Sequence, residues 1–163
     1  MSRMATPLAF TARYSHSVEA VRAAFADEQY WKARIEEVGG PGARLDSFAA
    51  DAASVRVQMV QSIPADQLPP AITAVRPGDL IIPRTETYSG TTGTVEAHVD
   101  GAPAKVTATA TMTDEGTGAV VTVSGTIEVK IPLFGGKIEA AISEHLLELL
   151  NNEAAFTEQW LNR

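Results

Sequence analysis

Three polar side chains that could bind a small molecule alternate along the segment LIIPRTETYS. Arg84, Glu86 and Tyr88 are each two residues apart, so in a β-strand they share one face, together with Leu80 and Ile82. If that face is turned inward, a guanidinium, a carboxylate and a phenol enter the interior together. The planar guanidinium fork suits a carboxylate or phosphate head group. The alternative is an internal Arg–carboxylate pair that braces the sheet.

Two further polar residues interrupt the apolar stripe of a predicted C-terminal helix. Glu153 lies near the centre of the stripe beside Phe156, and His145 lies on its opposite shoulder beside Ile142. Buried glutamate is rare unless it is paired. Glu153 could therefore anchor a ligand head group or pair with Arg84. Both Glu153 and His145 could instead lie at the edge of the stripe and reach solvent.

Several kinds of chemistry find no support in the sequence. It contains no cysteine, which excludes disulfides, Cys-ligated zinc, iron–sulfur clusters and cysteine nucleophiles. His16, His98 and His145 are scattered and lack the spacing of a metal site. No nucleophile–base pair supports covalent catalysis. We expect neither a metal nor a cofactor.

Composition narrows the class of protein and its partners. The chain has 163 residues, of which 45% are hydrophobic, and we expect one domain spanning 1–163. The net charge is −7, so nucleic acid is a poor partner because its phosphates would be repelled. No segment approaches about 18 consecutive apolar residues, and the N-terminus lacks the apolar run of a signal peptide. We therefore expect a cytoplasmic protein without integral membrane association, either a monomer or a dimer.

The order of the predicted elements gives the fold class. Residues 7–14 alternate loosely, as in a strand, and Ser17 and Asp27 are placed to cap two short helices. Strands with clear apolar–polar alternation follow from about 43 to 131, which is typical of an antiparallel sheet with one solvated face. One long helix is predicted over 138–161. An α+β fold in which a curved sheet wraps this helix would bury every apolar stripe.

This order of elements resembles the START-like, or helix-grip, superfamily, which includes pollen allergens, lipid-transfer domains and polyketide cyclases. The resemblance implies a curved seven-stranded antiparallel sheet around the C-terminal helix, with a cavity between them for an apolar or amphipathic molecule. Within the superfamily, the chain is similar to a bacterial family without an assigned function, which brings no chemistry of its own. The segments that carry this narrower resemblance are DEQYWKARIEEVGGPGA, IPADQLP, PGDLIIPRTETY, IPLFGGKIE and FTEQWL.

The residues expected to contact a ligand share inward positions on the strands or along the helix stripe. Several are alanines, and small residues opposite a long helix leave volume that a solid core would fill. The predicted lining comprises Val57, Met59, Ile82, Ala97, Ala108, Ala110, Val123, Ile142, His145, Leu149 and Phe156, with polar anchors at Arg84, Glu86, Tyr88 and Glu153.

Two segments could shape the mouth of the cavity. The connection 63–79 is long for a compact domain and could be a lid or a fixed cap, with Leu68, Ile72 and Val75 spaced as on one helix face. Phe134, just before the long helix, could form part of the rim.

The favoured function is binding, or carrying, a hydrophobic or amphipathic small molecule in this cavity. One alternative is an enzyme of the polyketide cyclase or dehydratase type, with Glu153, Glu86 or His145 as its titratable group. The other is an interaction module without a ligand.

Overall fold

Seven antiparallel strands form one sheet in the computed structural model, which describes residues 5–163 and all side chains there except those of Ala71 and Val75. The order across the sheet is β1-β7-β6-β5-β4-β3-β2. Neighbouring strands are consecutive in sequence except for β1, which pairs with β7. The predicted α+β helix-grip fold is confirmed. The strands are β1 (Thr6–Tyr14), β2 (Arg44–Ala50), β3 (Ser54–Ile63), β4 (Leu80–Ser89), β5 (Thr92–His98), β6 (Ala104–Glu115) and β7 (Gly118–Val129).

Two short helices follow β1, as predicted. They are α1 (Val18–Phe25) and α2 (Glu28–Val38). Each begins at a capping side chain that accepts a hydrogen bond from a backbone N–H of the first turn, Ser17 from Ala20 and Asp27 from Gln29. These caps fix where the chain turns from β1 toward the sheet face that α2 covers.

The long helix α4 (Gly135–Leu161) begins three residues before the predicted start at 138. Its first two residues are glycines, which are poor helix formers, so the apolar periodicity alone predicts a later start. Tertiary contacts override that preference. The Glu139 carboxylate accepts hydrogen bonds from the Val129 backbone N–H at 2.8 Å and from the Thr6 hydroxyl at 2.7 Å, which fastens the first turns of α4 to the sheet.

Pro83 causes no shift in the pairing of β4 with β3, although proline within a sheet is usually confined to edge strands or bulges. The register runs without interruption from Ser54 opposite Ser89 to Ile63 opposite Leu80. The missing N–H is tolerated because the ladder of β4 with β5 extends only as far as Arg84. The alternation along β4 is therefore preserved, and Arg84 and Glu86 face the concave side.

The connection 63–79 folds against the sheet. It contains a 3-10 turn at Ala65–Gln67 and a short helix, α3 (Pro70–Val75). Ile72 is 5% exposed and packs with Leu80 and Ile138 in a small apolar cluster. The predicted helix face also included Val75, whose side chain lies outside the described part of the chain.

A larger apolar cluster lies at the other end of the sheet. It joins α1 and α2 to β1, β3, β6 and β7 around Tyr30 and Trp31, which are both fully buried. The two clusters hold α4 at its ends, so the middle of the helix can stand away from the sheet. None of the helices in residues 5–163 is long and apolar enough to cross a bilayer.

Candidate ligand-binding site

A cavity of about 360 Å³ lies between the concave face of the sheet and α4. Volumes from about 300 Å³ are typical of small-molecule sites. Most of its wall is apolar. The predicted residues that line it are Ile82, Ala97, Ala108, Ala110, Val123, Ile142 and Leu149.

The alanines of the central strands account for the empty space. Ala108 and Ala110 are buried on β6 and face inward, and Ala97 of β5, opposite Val106, shares this face of the sheet. Ala108 also lies opposite Gly125 of β7, so two small residues meet at this point of the sheet. Larger side chains at these positions would reach toward α4 and fill the space.

Three residues of the predicted lining lie elsewhere. Val57 and Met59 share the concave face with Arg84, but they are buried in the larger apolar cluster with Trp31. The sequence reasoning had treated the whole concave face as available, whereas α2 covers the β2–β3 part of it. Phe156 is turned toward α2, where its ring lies 5.8 Å from that of Tyr30.

Four charged residues form a buried network on the inner wall of the cavity. Arg84 meets Glu153 through two hydrogen bonds of 2.9 and 3.1 Å, and its Nη2 lies 2.8 Å from Glu86. Arg34 of α2 reaches both carboxylates, at 3.2 Å from Glu86 and 3.0 Å from Glu153. The predicted contacts of Arg84 with Glu86 and with Glu153 are confirmed. The network ties α2, β4 and α4 together.

Neutral side chains complete the network. Gln61 accepts a hydrogen bond from Arg84 at 3.0 Å and donates one to Glu153 at 3.1 Å. The Tyr88 hydroxyl donates to Glu86, across a very short contact. Both oxygens of each carboxylate thus have at least one donor.

The ring of Tyr88 has its place because the residue opposite it on β5 is glycine. Gly93 pairs with Tyr88 in the register, and a Cβ there would collide with the ring. The glycine therefore lets the phenol lie against the strand with its hydroxyl directed at Glu86.

The acid–base state of the network follows from its charges. Burial alone would raise the pKa of Glu153, but the guanidiniums of Arg34 and Arg84, with hydrogen bonds from Arg84 and Gln61, lower it to about 2. Burial raises the pKa of the Tyr88 hydroxyl well above its usual value, and the adjacent Glu86 raises it further. Near neutral pH, Glu153 is ionised and Tyr88 is protonated.

The lowered pKa of Glu153 makes part of the protein's stability acid-sensitive. Because the folded-state pKa lies below the unfolded one, this contribution is present above the unfolded pKa and is lost as the pH falls through the folded value. We expect the free energy of unfolding to fall between about pH 5 and pH 2. Glu153→Gln should be less stable than wild type at neutral pH and should lose less over that range, as measured by urea titration at each pH.

The control for this acid series is Glu96→Gln, at an exposed position on β5. It should keep the acid dependence of the wild type. An acid dependence of Glu153→Gln that parallels the wild type would show that Glu153 does not carry this part of the stability.

Arg34 is the charged residue of this network that the sequence analysis does not predict. It lies three residues after Trp31 and next to Ile35, on the buried face of α2, and its guanidinium lies 4.5 Å from the Trp31 ring centroid. An arginine within an apolar helix stripe was the available signal, since such a residue is rarely buried without a carboxylate partner. Its partners lie 52 and 119 positions away in sequence, Glu86 and Glu153.

The mouth of the cavity is marked by its exposed lining residues. His98 and Lys105 lie at the ends of β5 and β6, Glu144 and Glu148 lie on α4, and Gln67 and Pro69 belong to the connection 63–79.

His145, predicted in the lining, and Phe134, predicted at the rim, have different outcomes. His145 is half-buried and lines the cavity near this rim. Phe134 is 55% exposed and does not line it. No group of three or more His, Cys, Asp or Glu in residues 5–163 is arranged to hold a metal ion.

Residues 9–161 match the family described as "Protein of unknown function (DUF2505)". The chain belongs to the DUF2505 family. This DUF2505 protein is also 32% identical to an uncharacterized protein of Mycobacterium tuberculosis, over 93% of this chain and 94% of that one.

Solved structures share the fold of this DUF2505 protein at low sequence identity. A START superfamily protein from Mycobacterium smegmatis has a TM-score of 0.60 at 15% identity, covering 94% of this chain and 98% of that one. Norcoclaurine synthase from Thalictrum flavum has a TM-score of 0.59 at 13% identity, covering 98% of this chain and 88% of that one. These likenesses establish the START-like fold and leave the ligand to be argued from the cavity.

Proposed function

We propose that this protein binds and carries a hydrophobic or amphipathic small molecule in the cavity between the sheet and α4. The observation that carries the proposal is the cavity itself, about 360 Å³ with mainly apolar walls and a polar inner wall. An apolar ligand that enters it leaves water, which contributes roughly 25 cal/mol for each Å² of apolar surface buried. A few polar groups suffice to orient such a ligand.

Binding without chemical conversion accounts better for the polar groups than catalysis does. A general acid or base works best with a pKa near the working pH, whereas the pKa of Glu153 is lowered to about 2 by two guanidiniums. Glu86 is held by Arg34, Arg84 and Tyr88. Both carboxylates are partners of arginines. Glu153 is ionised at neutral pH and so cannot donate a proton.

The fold relatives are compatible with a small-molecule ligand. The norcoclaurine synthase structure is described as a complex with dopamine and hydroxybenzaldehyde. That relative therefore holds small aromatic molecules. It supports a search among compounds of that size for this protein, while its reaction is its own.

A neutral fluorescent probe tests the proposal. N-phenylnaphthylamine should bind with saturation, and Ala108→Phe and Ala110→Phe should each weaken binding at least about tenfold, since a loss of about 1.4 kcal/mol suffices. The physical reason is that a phenyl ring at these inward positions occupies the ligand volume.

The matched control is Thr109→Phe, which places the same ring on the exposed outer face of β6, between the two alanines. It should bind the probe as the wild type does. If all three variants bind the probe equally well, the probe does not occupy the cavity and the proposal loses its support.

A further inference from the structure

We propose that the end of the ligand that faces Arg84 and Glu153 is uncharged, so that the cavity accepts a neutral oxygen group there and rejects an ionised one. The inference rests on the proposed function, because it describes the ligand of the same cavity. It narrows the ligand class from any amphipathic molecule to one whose buried end is an alcohol, a carbonyl or a similar neutral group.

The charges on the inner wall add up to zero. Two guanidiniums, Arg34 and Arg84, face two carboxylates, Glu86 and Glu153, and each of the four residues is at most 7% exposed. The separations between opposite charges are 2.8 to 3.2 Å. A neutral set of this kind has no surplus charge to offer to a carboxylate or an ammonium ion.

The hydrogen-bonding positions that a charged group would need are already used. The terminal nitrogens of Arg84 donate to Glu153, Glu86 and Gln61, and those of Arg34 donate to both carboxylates and to the Tyr30 hydroxyl. Among the guanidinium nitrogens of this network, only the two Nε atoms lack a hydrogen-bond partner in the described chain, and both are enclosed by protein atoms. An incoming carboxylate would therefore have to displace Glu86 or Glu153.

Displacement is unfavourable because it leaves a buried charge without its partner. Breaking a buried ion pair costs several kcal/mol, whereas a neutral oxygen needs only one hydrogen bond. The Tyr14 hydroxyl, which also hydrogen-bonds to Thr157, is the lining group placed to share that bond. Tyr14 lines the cavity, and burial raises its pKa above the usual value, so it stays protonated.

The rim of the cavity has the opposite character. Lys105, His98, His145, Glu144 and Glu148 lie there, and Lys105, Glu144 and Glu148 are exposed to water. A ligand with one charged end can keep that end at the rim and send its neutral end inward. Only a ligand that is charged at both ends is forced to bring an ion to the network.

Three ligands of equal chain length separate these cases: decanediol, hydroxydecanoate with its two groups at opposite ends, and decanedioate. Each is titrated as a competitor of N-phenylnaphthylamine at about pH 8, where the carboxyl groups of hydroxydecanoate and decanedioate are ionised. The diol and the hydroxy acid should displace the probe, and the diacid should bind at least about tenfold more weakly than the hydroxy acid, a difference of about 1.4 kcal/mol.

A charge-changing pair of variants reverses the selectivity. Glu153→Gln keeps the shape of the side chain and leaves the network with an excess positive charge, so the diacid should gain at least about tenfold in affinity relative to the diol. Arg84→Gln leaves an excess negative charge and should show no such gain. If a variant does not fold, the three ligands on the wild-type protein still decide.

Two failures can be told apart. If the diol and the neutral probe do not bind, the proposed function fails. If the diol binds and the diacid binds the wild type equally well, the cavity binds ligands but its inner wall does not select against charge, and the inference is overturned.

Discussion

Replacing Arg84 by Met should lower the free energy of unfolding by about 3–5 kcal/mol, the cost of removing one partner from a buried ion pair. Arg84 is 7% exposed and is the bidentate partner of Glu153 as well as a partner of Glu86. Methionine keeps much of the side-chain volume but leaves two carboxylates to share Arg34. Urea denaturation at neutral pH measures the loss.

The control for this variant is Arg13→Met. Arg13 pairs with Glu115 at 3.5 Å, and both side chains are 65% exposed. Exposed pairs contribute about 0–1 kcal/mol, so the control should stay within that range. An equal, small loss in both variants would mean that the buried network does not hold α2, β4 and α4 together.

The second large effect concerns the wall between the cavity and the larger apolar cluster. Trp31→Ala should cost about 3–5 kcal/mol, as is typical when a large buried aromatic side chain is removed. The Trp31 side chain is fully buried, donates from Nε1 to the Phe25 carbonyl at 2.7 Å and lies against the guanidinium of Arg34. The loss should appear as a lower denaturation midpoint.

Phe134→Ala is the matched control, since this ring is 55% exposed. It should change stability by less than about 0.5 kcal/mol. If Trp31→Ala is as mild as this control, α2 does not close the β2–β3 side of the cavity as the structure places it.

Periodicity in the sequence was enough to predict the order of elements and the inward parity of Arg84 and Glu86. Parity along a strand needs only local alternation, and the uninterrupted pairing of β4 with β3 preserved it through Pro83. The same reasoning predicted that Glu153 on the helix could meet Arg84. Once the sheet wraps the helix, residues of opposite charge on facing elements can form ion pairs, as Arg84 and Glu153 do.

Long-range docking set what periodicity could not predict. Arg34 enters the network because α2 folds back over the sheet, and the same docking removes Val57 and Met59 from the cavity wall. The earlier start of α4 depends on Glu139, which reaches β7 and β1. Each of these contacts depends on how one element is placed against another, and the local sequence pattern of a single element carries no information about that placement.

The cavity exists because the two ends of α4 are held while its middle is not. At one end Ile138 packs with Ile72, Leu80 and Val129, and toward the other end Arg84 holds Glu153 through the buried network. Between them the sheet presents Ala97, Ala108 and Ala110. These small side chains leave the space between the two ends empty.

The most direct test of the central claim is an NMR experiment on protein labelled with ¹³C at the alanine methyl groups and titrated with N-phenylnaphthylamine. The account predicts saturable binding and intermolecular NOEs from the probe to the methyl groups of Ala97, Ala108 and Ala110, which line the cavity. Ala52, exposed in the turn between β2 and β3, should show none. Saturable binding without NOEs to the three cavity alanines, or no saturable binding, would contradict it.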